Sequence, residues 1–587
     1  MSGQQKQLLN STESCVDEML EGVAAVNLNV RILKGHRVVV RTDIEGAKKK
    51  GQVTILSGGG SGHEPFAAGF VGKGMLSAAV AGSVFTSPPP NQILAGIRAI
   101  SCPSGVLLIV ANYTGDRLNF GIAAERAAAE NIKIATITIG EDCALTSTDK
   151  TAGRRGLCGI VLLMKIVGAL AEEGRSLEEI AAIGTETINA VGTIGVSLSP
   201  CHVPGSGATF TLGEDEMELG LGVHGEAGVK RMKVMQADDI AAVMIDHMTE
   251  QTNSSHMTIS SGDRVALVLN NLGATSYLEM FVMVRAVIRY LESKGVIVER
   301  VYVDHFMTSL DMAGLSLTIL HLTDLRLKCL DKDTTAIGWK NGSTSSGTTS
   351  STQRGRERLE PCVTTSKTGS IKQSSASPNA DTSAVLCALE NICKKLIESE
   401  SLLNELDRHG GDGDCGTTLK TGAQGILALL DGFSNYSVYA ILISAAESLE
   451  NTMGGASGGL YSLFLTAAAG KLRTDTNPPS WIDALYAGMT AVSRYGGAEP
   501  GDRTMLDPLH AAHKTFVNDT NSSKDWTSLL EKAVKAADKA ASETASMKAR
   551  AGRASYVNAQ LITKQDPGAS AVALWMHALL ESLKKEP

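Results

Sequence analysis

The sequence predicts a multidomain protein: an α/β N-terminal half, itself two α/β subdomains, followed by an all-α C-terminal half. Three observations carry this. Up to about residue 340, short β-branched apolar runs alternate with helical patterns. After about residue 380 the helical spacing continues and strand signals almost vanish. Between them, 341–381 is rich in Ser, Thr and Gly and nearly empty of large apolar side chains.

Taken in order, HRVVVR (36–41), QVTILS (52–57), VLLIV (106–110) and IKIATITI (132–139) have the length and branching of buried strands. Helix-like NQILAGIRAI and LNFGIAAERAAAEN lie among them. A second set follows: the strand-like RVALVLN (264–270), the helix-like SYLEMFVMVRAVIRYLESKG, then VIVERVYVD (296–304). The segment 341–381 cannot bury enough apolar surface to offset its ordering entropy, so it reads as a flexible linker between domains at 1–340 and 382–587. Beyond it SAVLCALENICKKLIESESLLNEL, AILISAAESLENTM, WIDALYAGMTAVSRYG and residues 527–549 all carry helical spacing. No solenoid period is present.

Composition excludes several classes. A chain of 587 residues exceeds one core and predicts two or three domains. Its 54 Lys and Arg against 62 Asp and Glu leave a net charge of −8, which gives no electrostatic case for nucleic acid or an anionic membrane. It has no apolar run of about 20 residues to span a bilayer. MSGQQKQLLNSTESC lacks the apolar stretch of a secretory signal. Ten cysteines without a CxxC pair read as reduced thiols, so a cytoplasmic protein is expected.

The densest chemistry lies in DRHGGDGDCGTT (407–418), where Asp407, Asp412 and Asp414 crowd into eight positions. Two carboxylates about 5 Å apart repel by roughly 3 kcal/mol at an effective dielectric near 20, so water must separate them or a cation must join them. A calcium EF-hand fails: a loop begun at Asp412 puts Thr417 where the turn glycine belongs and Ala423 where the bidentate Glu belongs. Magnesium fits better, taking a few carboxylates and completing its shell with water and phosphate oxygens. The glycines allow backbone to approach phosphate, and GTT opens a helix whose amides favour an anion. The plain alternative is an Asp/Gly surface turn. Three further turns precede helical runs: TMGGASGGLYSLF (452–464), GDRTMLDP (501–508) with Arg503, and QDPGA (565–569). No P-loop exists, since Gly72-Lys73 is followed by Gly74.

In the first half, VTILSGGGSGHEP (53–65) is a strand running into a glycine-rich turn that does not match GxGxxG. Ligands still bind at the carboxyl ends of strands in open α/β sheets, which singles out His63. VLLIV ends in ANYTGD and puts Asp116 at an equivalent end, while LGVHGEAG (221–228) sets His224 between glycines. Most of the 12 histidines must be ordinary surface or core residues.

With these residues in view, the whole chain resembles the single-chain, ATP-dependent dihydroxyacetone kinases, called triokinases when they accept glyceraldehyde. GGGSGHEP, FTSPP, NYTGDRLNFG and HGEAG carry the resemblance in the first half. LDRxxGDGDCGTT, MGGASGGLY, GDRTMLD, GRASY and DPGA carry it in the second. The arrangement is similar to the eukaryotic enzymes, the plant 3,4-dihydroxy-2-butanone kinases among them. The resemblance implies an N-terminal ketose-binding domain in which His224 holds the substrate carbonyl as a hemiaminal. It also implies that Gly60, Ser61, Gly62 and His63 contact the substrate, with Asp116 beside the accepting hydroxyl as base.

For the second half it implies a helical barrel in which Asp407, Asp412 and Asp414 carry Mg2+, or Mn2+, on ATP. Asp412, Gly413, Asp414, Cys415, Ser457, Gly458, Gly496, Arg503, Thr504, Met505, Asp566, Pro567 and Gly568 then line the nucleotide. A homodimer is implied, in which one chain's helical domain can serve the other's ketose domain. One departure stands out: Ala111 precedes NYTGD where the family often has Lys, which opens the choice of ketose or aldose. Two rival functions remain: an FAD-AMP lyase forming cyclic FMN at the same nucleotide site, and a non-enzymatic ketose sensor.

Overall fold

Buried β-branched strands build two six-stranded sheets in the first half of this computed structural model. It describes residues 6–145, 153–226, 228–340, 380–433, 436–453, 455–519, 525–551, 553–556 and 562–585. The chain divides into two units, 1–360 and 361–587. Of the linker expected at 341–381, residues 341–379 lie outside the described residues.

The first sheet contains β1 (Val30–Ile32), β2 (Val38–Arg41), β3 (Thr54–Ser61), β4 (Ala78–Val84), β5 (Val106–Ala111) and β6 (Ile134–Ile139). Their order is β1-β2-β4-β3-β5-β6, with β4, β3, β5 and β6 parallel. Every residue of β5 is buried, as a parallel strand covered on both faces requires. Its side chains alternate: Val106, Leu108 and Val110 pack under helices Pro90–Ile100 and Thr114–Ala129. Leu107 and Ile109 turn to the other face, toward helix Gly159–Glu172.

The second sheet contains β7 (Val191–Ser197), then, after the short pair β8 (His202–Val203) and β9 (Gly207–Ala208), β10 (Glu216–Leu219), β11 (Lys230–Lys233), β12 (Arg264–Asn271), β13 (Ile297–Asp304) and β14 (Gly314–His321). Their order is β11-β10-β7-β14-β12-β13. Val265, Leu267 and Leu269 pack with helices Ala237–Thr249 and Tyr277–Ser293. Ala266, Val268 and Leu320 instead join the core that holds Leu107 and Ile109 of the first sheet. Helix Gly159–Glu172 runs through that shared core and is buried from Gly159 to Ala171, as expected for a helix apolar on every side. The two expected subdomains are thus two sheets fused through one core.

Among its described residues the second unit has no strand. Its main helices are Ala380–Glu398, Glu400–Asp407, Cys415–Leu427, Val438–Thr452, Gly455–Lys471, Pro478–Gly496, Leu506–Asp519, Trp526–Glu543 and Pro567–Lys585. From Cys415–Leu427 onward each packs on the next, the last packs on Ala380–Glu398, and that helix packs on Cys415–Leu427. The ring therefore closes.

Three local differences from the sequence reading have physical causes. β3 continues through the glycine stretch to Ser61, because glycines let β4 come close. Helix Thr114–Ala129 starts before the apolar pattern and takes Asp116 into its first turn. The single helix expected over 383–406 breaks at Ser399 into two.

Candidate active site

Both sheets send loops to one place in the first unit. His63 follows β3, and Phe85 follows β4 with a φ of +53°. Tyr113 and Asp116 follow β5. His224 lies between β10 and β11, and Thr308 follows β13. The rings converge: His63 stacks on Phe85 at 5.0 Å, and His224 meets His63, Phe85 and Tyr113 edge-on at 5.0, 5.3 and 4.7 Å.

His63 is buried, and its Nδ1 lies 2.8 Å from the Thr308 carbonyl. That nitrogen must carry the proton to donate, which leaves Nε2 as a bare acceptor. Among the described residues, buried Nε2 has no partner. Burial, helped by neighbouring His224, pushes the His63 pKa down to about 3. Burial also lowers that of His224; Glu226 opposes the shift and Arg155 adds to it. Both imidazoles are therefore neutral near pH 7. Asp116 is 5% exposed, and burial pushes it up to about 6 against a hydrogen bond from Ser87. Its Oδ1 is buried without a partner among the described residues.

Gly60 lies where two backbones nearly touch: a Cβ there would stand 2.7 Å from the Thr86 amide nitrogen. Ser61 donates its hydroxyl to the Gly82 carbonyl at 2.8 Å, so its side chain ties β3 to β4. The Gly62 amide donates to Glu64 Oε2 at 3.0 Å. Ala111 is buried at the end of β5.

In the second unit, Asp407 ends one helix and Asp414 precedes another. Asp407, Asp412 and Asp414 can each turn a carboxylate oxygen into a cluster within 4.8 Å of one another. Asp407 Oδ2 accepts the amides of Gly413, Asp414 and Cys415 at 2.9, 3.1 and 3.2 Å. Three hard oxygen donors, two of them exposed, fit a magnesium or manganese ion that keeps water and phosphate in its shell.

Cys415 links this loop to the DPGA turn. Burial pushes its thiol up to about 12, reinforced by Asp407, Asp566, Asp414 and Asp412. Arg503, 2% exposed and with a φ of +66°, places Nη1 3.5 Å from Asp566 and donates Nη2 to the Lys564 carbonyl at 2.8 Å. A Cβ on Gly410 would lie 4.0 Å from the same Nη1, so this guanidinium borders the acidic loop as well. Burial pushes Asp566 up to about 6, with Arg503 opposing.

Thr504 donates its amide to Asp507 at 2.7 Å, and a Cβ on Gly568 would lie 3.7 Å from that of Met505. Pro567 and Gly568 open helix Pro567–Lys585. Ser457 and Gly458 sit in the first turn of helix Gly455–Lys471, and a Cβ on Gly496 would meet Leu460 of that helix at 3.3 Å.

The structure thus gathers His63 and His224 in one ring cluster, with Asp116 one turn along the helix after Tyr113. In the second unit it gathers Asp407, Asp412, Asp414, Cys415, Arg503 and Asp566. Phe85, Ser87, Tyr113, Thr308, Glu226 and Arg155 escaped the sequence reading. Ser87 and Tyr113 stood inside recognisable motifs, FTSPP and NYTGD. Thr308, 245 positions from His63, gave no signal.

The Dak1 domain model matches residues 21–338 and the DAK2 domain model residues 409–581. The chain belongs to the dihydroxyacetone kinase family, in the form that carries both domains on one polypeptide. It is 47% identical over 582 residues to "Triokinase/FMN cyclase" of Homo sapiens, covering 99% of each chain. It is also 38% identical over 600 residues to "Putative 3,4-dihydroxy-2-butanone kinase" of Solanum lycopersicum, covering 100% of this chain and 99% of that one. Among solved structures it is similar to the dihydroxyacetone kinase of C. freundii in complex with AMP-PNP and Mg2+. That match has a TM-score of 0.68 and 32% identity, over 99% of this chain and 100% of the other.

Proposed function

We propose that this protein is an ATP-dependent kinase of a short ketose or aldose, with dihydroxyacetone, glyceraldehyde or 3,4-dihydroxy-2-butanone as acceptor. The observation that carries the reading is the His224 imidazole, kept neutral by burial and walled by His63, Phe85 and Tyr113. The unprotonated ring nitrogen adds to the substrate carbonyl carbon, the other ring nitrogen gives up its proton as the carbonyl oxygen takes one, and a neutral hemiaminal results. His63 Nε2 accepts a substrate hydroxyl, beside contacts from Gly60, Ser61 and Gly62. Asp116, ionised above about pH 6, takes the proton of the hydroxyl that attacks the γ-phosphorus. The tether turns substrate recognition into intramolecular positioning.

Asp407, Asp412 and Asp414 would hold a magnesium ion, or manganese in its place, which supplies charge neutralisation to the ATP phosphates. Gly413, Cys415, Ser457, Gly458, Gly496, Arg503, Thr504, Met505 and Asp566 to Gly568 would line the nucleotide. The reading takes 1–340 as the ketose domain, 341–381 as linker and 382–587 as the nucleotide domain, in a cytoplasmic homodimer. Light scattering on the purified chain tests the dimer. ADP release measured across the three acceptors tests the activity, which His224→Ala and Asp412→Ala should each abolish.

A second reading is favoured by the 47% identity to a triokinase/FMN cyclase: the nucleotide site also cleaves FAD to AMP and cyclic FMN. Incubation with FAD and Mn2+ tests it, and absence of cyclic FMN rejects it. The sensor reading is disfavoured, because a protein that only binds ketose has no use for a three-carboxylate loop.

A further inference from the structure

We propose that Glu226 is the positioning residue of His224, its carboxylate folded back across its own loop to hold the imidazole toward the substrate carbonyl. The inference rests on reading His224 as the residue that bonds to substrate. Glu226 Oε2 accepts the His224 amide at 3.0 Å. Arg155 reaches Oε1 at 3.5 Å. Arg155 is itself anchored, with Nε donating to buried Asp142 at 2.7 Å and Nη2 donating to the Gly220 carbonyl at 2.6 Å. One guanidinium therefore grips the loop at residue 220 and, through Glu226, beyond residue 224.

Gly222 supplies an independent sign that the carboxylate is seated on purpose. A Cβ there would stand 1.9 Å from Glu226 Oε1 and 2.3 Å from Cδ. Its φ lies outside the left-handed region, and the three atoms nearest that Cβ all belong to the Glu226 carboxylate, which a side chain at 222 would displace. The other histidine of the pocket sits in a loop closed the same way, since Glu64 accepts the amide of Gly62 two residues back.

The charges around His224 suit this task. His63 is neutral, and burial holds the Tyr113 phenol protonated. Glu226 favours the imidazolium and Arg155 disfavours it. The pair braces the loop while its two charges act on the ring in opposite senses.

The test is the NMR titration of the His224 imidazole together with kcat/KM for dihydroxyacetone in wild type and five variants, with thermal melts alongside. Glu226→Gln keeps the acceptor oxygen but removes the charge and leaves Arg155 uncompensated. The titration of the His224 imidazole, followed by NMR, should move down by about one pH unit while the melt stays put. Glu226→Ala should lower kcat/KM at least tenfold at the optimum. Gly222→Ala, which evicts the carboxylate, should do the same, and Gly222→Ala/Glu226→Ala should be no worse than either single change. An unmoved His224 titration in Glu226→Gln, normal kcat/KM in Gly222→Ala, or additive losses in the double variant would each overturn the proposal. If Glu226→Ala does not fold, Glu226→Gln decides alone. His224→Ala separates the two readings: normal turnover sinks both, whereas its inactivity beside wild-type behaviour of the other variants sinks only the role of Glu226.

Discussion

Asp407→Asn tests how the acidic loop is built, because it keeps the side chain's shape and removes its charge. Asp407 Oδ2 accepts three backbone amides in a row, from Gly413, Asp414 and Cys415. A hydrogen bond to a charged acceptor contributes about 1.5–3 kcal/mol and one to a neutral acceptor about 0.5–1.5, so each bond loses about 1 kcal/mol. Three bonds lose about 3 kcal/mol, and half-exposure of the site brings the figure to about 2–3 kcal/mol. If that energy holds Asp412 and Asp414 in their cluster, Mn2+ affinity falls by about 30- to 150-fold, one decade per 1.4 kcal/mol. The measurement is a Mn2+ titration of the full chain by electron paramagnetic resonance without nucleotide, with circular dichroism confirming the fold. A dissociation constant within threefold of wild type would refute the reasoning, since neither the lost ligand charge nor the loosened loop would then matter.

Activity should rise with pH through about 6, because the Asp116 carboxyl must be ionised to accept a proton and burial has raised it to that value. Ser87→Ala removes the hydrogen bond that lowers it, so the acid limb should shift upward in a pH–rate profile. The same raised value makes folded Asp116 hold its proton longer than the unfolded chain does. Its linked contribution to stability therefore declines as pH rises from about 4 to 6, and Asp116→Asn should flatten that decline in urea titrations. Gly60→Ala forces a methyl to within 2.7 Å of the Thr86 nitrogen, so KM for dihydroxyacetone should rise at least tenfold in steady-state kinetics. Leu163→Ala opens a cavity in the core shared by both sheets and should cost about 2–5 kcal/mol in urea unfolding.

The strands legible in the sequence were those with branched apolar runs, such as VLLIV and RVALVLN. Eight others were missed, among them AAVAGSV in β4, VGTIGVS in β7 and GLSLTILH in β14. The first two are rich in Gly, Ala and Ser, which local propensity counts against a strand. Tertiary packing overrides it where small residues let neighbours approach. All-α character in the second unit was plain, because stretches such as AILISAAESLENTM and WIDALYAGMTAVSRYG repeat an apolar face over at least two turns. For the site, glycine punctuation exposed the loops bearing His63, His224 and the aspartates. What spacing could not supply was convergence: Thr308 meets His63, and Arg155 meets Glu226, only because the two sheets share a core. Ser61 has a tie that its motif did not show, since its hydroxyl donates to the Gly82 carbonyl.

The two units put burial to contrary uses, and the proposed chemistry requires that. Addition to a carbonyl needs an imidazole lone pair, so His63 and His224 are desolvated and their pKa values fall, the former to about 3. Handling a nucleotide's phosphates needs fixed charge, so Asp412 and Asp414 stay in water, where ionisation is cheap. The demands conflict at short range. An anion within about 4–6 Å raises a histidine's pKa by roughly 1–3 units, and three together would protonate the nucleophile at neutral pH. Glu226 is tolerated beside His224 because Arg155 offsets it. Placing donor and acceptor chemistry on separately folded units lets each environment be set without spoiling the other. An Arg155→Met variant should therefore raise the His224 pKa and move its NMR titration upward, opposite in sign to Glu226→Gln. A shift in the same direction for both would mean that charge at this loop does not govern the imidazole.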